Sequence, residues 1–101
     1  MKLVVIMSLD AYAGDLEKIY TDHRVPVFSE ADIRGFRLDA GTVGSRDWFV
    51  SSHTPLYSTL TFAFVDADKA SELLDAIAEA NRTLASESPI RAFQLDVEKA
   101  I

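Results

Sequence analysis

The chain has 101 residues, no cysteine and a formal net charge of -6, with hydrophobic residues at 49% and charged residues at 26%. That length holds one domain, residues 1 to 101, with one modest core, and the composition is that of a folded globular chain rather than a disordered one. Disulfides, thiolate metal sites and a cysteine nucleophile are excluded. The acidic balance opposes a nucleic-acid partner, whose phosphates demand clustered Lys and Arg.

Residues Lys2 to Leu9 are apolar on both alternating sets, Leu3, Val5 and Met7 on one and Val4 and Ile6 on the other, which predicts a strand buried on both faces. The run ends at Asp10, too short for a membrane span and without a small-residue cleavage site, so the expectation is a cytoplasmic protein with no direct membrane insertion. Asp10 or Asp15 is placed to cap a first helix whose inward stripe is Leu16, Ile19 and Tyr20. Val25-Pro26 closes it. His23, near that end, reads as a cation against the helix dipole.

Phe28 to Arg37 reads as a weaker, partly exposed strand, with Phe28, Ile33 and Phe36 set among Glu30, Asp32 and Arg34. Glu30 and Asp32 share one face by the two-residue period. Arg34 and Arg37 are the candidates for a local basic patch, and the simpler reading of all four is solvated charge on a strand edge.

The stretch from Leu38 to Pro55 is a long loop rich in turn formers, among them Gly41, Gly44, Ser45, Ser51 and Ser52. Loops of that length inside a compact domain are commonly functional or disordered. Trp48 and Phe49 are candidate anchors for a partner protein, or they fold back and close the end of the core. His53 is the candidate metal ligand, either with symmetry copies of itself or with Asp39 or Asp47, although no pair here has diagnostic metal-ligand spacing.

Tyr57 to Val65 alternates cleanly, Leu60, Phe62 and Phe64 against Thr59, Thr61 and Ala63, and the larger set is expected to meet the helices. Asp66 or Asp68 caps a second helix carrying Ala70, Leu73, Leu74, Ile77, Ala78 and Asn81 at helical spacing, closed by Ser86 through Pro89. Ile90 to Val97 is the last strand, with Phe93, Leu95 and Val97 opposite Ile90 and Ala92.

Two right-handed crossovers with one helix each give an α+β fold, a ferredoxin-like βαββαβ sandwich with both helices on one face of a four-stranded antiparallel sheet. The first strand is apolar on both faces, and Thr61, Ala63 and Val65 are small enough to pack on the far side. The uncovered face is therefore expected to meet another subunit. No activated nucleophile, partner base or oxyanion loop can be assembled from the motifs present, so a regulator is expected rather than an enzyme.

Four segments carry a resemblance: Ile33-Arg34-Gly35-Phe36, Phe64-Val65-Asp66-Ala67-Asp68, Ala80-Asn81-Arg82-Thr83, and the ending Phe93 to Ile101 with its Val97-Glu98-Lys99-Ala100-Ile101. In order and register they resemble the PII superfamily of nitrogen regulatory proteins over most of the chain outside the loop. The resemblance implies a homotrimer with ligand clefts between subunits and a mobile loop, here residues 38 to 55, that reports to an enzyme, a transporter or a channel. By correspondence Gly35, Arg37, Thr83 and Arg91 would approach the cleft.

The departures narrow what that cleft accepts. The family's glycine-rich turn after the second helix is Leu84-Ala85-Ser86-Glu87-Ser88-Pro89 here, and a turn without glycine, with a carboxylate and a proline, argues against an ordinary adenine-nucleotide site. Ser58 stands where a lysine that serves 2-oxoglutarate is expected, and no tyrosine lies between Leu38 and Pro55 for uridylylation. Two further readings stand beside the regulator: a metal-binding relative linked to metal efflux or tolerance, which takes a divalent metal at His53, and a small dimeric α/β-barrel enzyme.

Overall fold

The computed structural model describes residues 1–36 and 56–101. In chain order these form β1 (Lys2–Leu9), a 3-10 turn (Asp10–Tyr12), α1 (Ala13–Asp22), β2 (Ser29–Gly35), β3 (Leu56–Val65), α2 (Ala67–Leu84) and β4 (Arg91–Asp96). The strands make one antiparallel sheet in the order β2-β3-β1-β4. The fold is α+β and compatible with the ferredoxin-like arrangement.

β1 takes a central place because it is apolar on both sides. Val4, Ile6 and Ser8 point toward the helices and are fully buried, while Leu3, Val5 and Met7 point the other way and are half-buried. Each helix lays one stripe on the first of these faces. Leu16 and Tyr20 from α1, and Ala70, Leu73 and Ile77 from α2, join Val4, Ile6, Ala63 and Ile90 in one core. Each fully buried Leu or Ile there contributes roughly 1.5–3 kcal/mol by leaving water.

The helix ends follow different rules. Of the two candidates, Asp66 and not Asp68 caps α2: its carboxylate accepts the Lys69 N–H at 2.7 Å, satisfying one of the donors that a first turn leaves free. Neither Asp10 nor Asp15 caps α1, because the 3-10 turn intervenes and Tyr12 occupies the cap position without a side-chain bond. α1 stops at Asp22, before Val25-Pro26, and Arg24 takes a left-handed backbone at φ 57°. At the end of α2, Ala85 is also left-handed at φ 47°, a conformation glycine usually supplies. Asn81 then ties helix to strand: its amide nitrogen donates to the Ile90 carbonyl at 2.9 Å and its amide oxygen accepts the Ile90 N–H at 2.8 Å.

One expectation is reversed. The smaller set of β3 meets the helices, with Thr59, Thr61 and Ala63 all buried, whereas Leu60, Phe62 and Phe64 lie on the uncovered side. The physical reason is Tyr20, whose ring stacks on Phe28 with centroids 4.2 Å apart and whose hydroxyl lies 2.7 Å from that of Thr61. A large side chain at position 61 would displace that ring and leave its hydroxyl unsatisfied in a dry interior. β2 is also shorter than expected, since Phe28 packs against the core ahead of the strand. No helix among the described residues is long and apolar enough to cross a membrane.

Candidate functional site

Among the described residues, the face that the helices leave uncovered presents several large apolar side chains to solvent. Register places Phe62, Val5 and Phe93 in one row across β3, β1 and β4, and Phe64, Leu3 and Leu95 in the next. Phe64 is 56% exposed, Leu95 49% and Phe93 43%. Soluble monomers rarely leave such contiguous apolar surface in water.

Of the residues expected at a ligand cleft, the three that are described, Gly35, Thr83 and Arg91, do not converge within one protomer. Gly35 ends β2 opposite Leu56 and is buried, while Arg91 begins β4 opposite Met7 and is exposed. They lie on opposite edges of the sheet, three strand spacings apart and offset by four residues along the strands, a separation of about 20 Å. Thr83 sits in the last turn of α2, donates to the Glu79 carbonyl at 3.5 Å, and lines a groove of about 520 Å³ between α1 and α2 with Ile19, His23 and Glu79. Arg37, the loop 38 to 55, the partner anchors Trp48 and Phe49, and the metal candidate His53 lie outside the described residues. Ser58 is fully buried.

His23 has a carboxylate partner in α2. Its Nδ1 is 2.6 Å from Glu72 Oε2, and Lys69 Nζ donates both to that oxygen at 3.0 Å and to the His23 carbonyl at 2.8 Å. The hydrogen bond from His23, then that from Lys69, holds the Glu72 carboxyl below the ordinary glutamate range. The cluster clamps the end of α1 to the start of α2. Among the described residues no three His, Asp or Glu side chains gather in a way that would hold a metal ion.

On the helix side of the sheet, where the helices leave β2 uncovered, lies a depression of about 290 Å³ lined by Asp10, Asp32, Ile33, Arg34 and Tyr57. Cross-strand pairing sets Asp32 beside Thr59 and Arg34 beside Tyr57 on this face. The buried Thr59 hydroxyl donates to Asp10 Oδ1 at 2.8 Å, which orients that carboxylate. In the sequence Asp10 reads as a cap, and Asp32 and Arg34 as strand-edge charge. Only the pairing of β2 with β3 brings them together, and the signal for it is the shared alternation of polar residues at 30, 32 and 34 with 57, 59 and 61.

No protein-family model matches the chain, and no curated protein matches it significantly.

Proposed function

We propose that this chain is a PII-like regulatory protein: a homotrimer that senses a small ligand in clefts between subunits and regulates a partner protein, such as a membrane transporter, through residues 38 to 55. The observation that carries the reading is the uncovered apolar face spanning β3, β1 and β4. Packing it against neighbouring copies removes Phe64, Phe93 and Leu95 from water. It also accounts for Gly35 and Arg91 lying on opposite sheet edges, since edges of adjacent subunits meet where edges of one subunit cannot. In this reading Gly35, Arg37, Thr83 and Arg91 bind the ligand, and its contacts bias the loop among conformations that present Trp48 and Phe49 to the partner differently.

Light scattering on the purified protein tests the assembly. A mass three times the 11.2 kDa of the chain supports the regulator, and a stable monomer overturns it. The same face also suits two copies packed sheet to sheet, so a dimer replaces the regulator with the α/β-barrel enzyme. A thermal-shift screen of adenine nucleotides, 2-oxoglutarate, bicarbonate, zinc, copper and nickel then tests the ligand. Binding at a hundred times the dissociation constant stabilises by about 2.7 kcal/mol. A shift confined to a metal and abolished by His53→Ala favours the metal-binding relative.

A further inference from the structure

We infer that the depression beside β2 binds a small amino-acid zwitterion, and that a basic amino acid fits it best. Asp32 and Arg34 stand on the same face of β2, two residues apart, so their Cα atoms are about 7 Å apart. Neither has a side-chain hydrogen bond or ion pair among the described residues. Opposite charges held apart in this way form a ready dipole for a ligand that carries both signs.

Asp10 supplies the third charge. Its carboxylate is fixed from below by Thr59, a residue 3% exposed, which leaves its other oxygen available to a cation. The polar row continues inward from Asp32 through Thr59 to Ser8, whose buried hydroxyl has no hydrogen-bond partner among the described residues. Apolar residues would serve a purely structural face better at those positions, because a buried hydroxyl without a hydrogen bond costs free energy.

Complementarity specifies the ligand class. Arg34 takes a carboxylate, which a guanidinium binds with two parallel hydrogen bonds, and Tyr57 beside it adds a phenolic donor. Asp32 and Asp10 take two cationic groups. A ligand with one carboxylate and two ammonium groups balances the two acids and the one guanidinium, which is the charge pattern of lysine. The depression of about 290 Å³ lies just below the ligand-pocket range of about 300–1,000 Å³, which suits a single amino acid.

Calorimetric titration of the intact protein with L-lysine tests the site, with L-glutamate as the charge-reversed control. The expected result is saturable binding of one L-lysine per chain, with no heat from L-glutamate. Arg34→Gln and Asp32→Asn change exposed residues and should each weaken binding about tenfold or more, with an unchanged far-UV spectrum as the check on folding. Absence of saturable L-lysine binding at millimolar concentration, equal binding of L-glutamate, or unchanged affinity in both variants overturns the site. Because all four side chains belong to one protomer, such a result leaves the assembly reading intact, and a monomeric mass leaves the site intact.

Discussion

The hydroxyl of Tyr20 lies 2.7 Å from that of Thr61, a bond buried between α1 and β3. Burial raises the Tyr20 pKa above the ordinary phenol value, and the bond to Thr61 offsets part of that rise. The folded state therefore holds the phenol proton more tightly than the unfolded chain does. The stability this contributes is fully present below the unfolded phenol pKa of about 10 and is lost as pH climbs toward the folded value. Denaturant unfolding followed from neutral to alkaline pH should show that loss, and Tyr20→Phe should blunt it.

Removing either partner of this pair strands the other, so the two losses are not additive. Tyr20→Phe leaves the Thr61 hydroxyl unsatisfied, and Thr61→Val does the same to Tyr20, each at about 1–3 kcal/mol. The double variant should lose less than the two single losses combined. Urea midpoints of the three variants decide it, and additive losses would mean that the hydroxyls are energetically independent.

Glu72 makes a second pH-dependent contribution of opposite sense. Its carboxyl is held below the ordinary range by His23 and Lys69, so this stabilisation is present above the unfolded glutamate pKa of about 4.3 and is lost as pH falls through the folded value. Carboxyl NMR titration should place Glu72 below other exposed glutamates. His23→Ala should move it upward, since the hydrogen bond from His23 is the largest cause of the depression.

Ala85 holds a left-handed backbone at φ 47° at the end of α2, where a Cβ costs roughly 1–2 kcal/mol. Ala85→Gly relieves that cost, less the extra freedom glycine gains in the unfolded chain. A net gain of about 0.5 kcal/mol is expected, read as a melting temperature about 2–4 °C higher. A lower melting temperature would mean that the turn has already relaxed around alanine.

Phe93→Glu tests the uncovered face without touching the core. Phe93 pairs with Val5 on the side away from the helices, and an unpaired carboxylate buried between subunits costs several kcal/mol. The variant should keep its helical circular dichroism and fall to the mass of a single chain. An unchanged mass would mean that association uses other surfaces.

The elements were legible in the sequence where one physical signal dominated. The double alternation of β1 predicted a strand buried on both faces, which the helix-facing Val4 and Ile6 meet in full and Leu3, Val5 and Met7 only by half. Asp66 or Asp68 ahead of a helical stripe predicted the start of α2 and its buried Ala70, Leu73 and Ile77. The faces of β3 were not legible, because both alternating sets suit a dry environment and size alone favoured Phe62 and Phe64. A single long-range contact, the one between Tyr20 and Thr61, reverses that choice. The depression was hidden for a related reason: Asp10, Asp32 and Arg34 lie in two separate segments, and only strand register makes them neighbours.

Asn81 has a mechanical consequence of its own. By giving Ile90 both a donor and an acceptor, its side chain acts as a pin that indexes the final strand against the helix before it. A slip of that strand by two residues, which would keep every side chain on its proper side, must first shear this pin. The closing segment of the chain thus enters the sheet with its alignment already chosen.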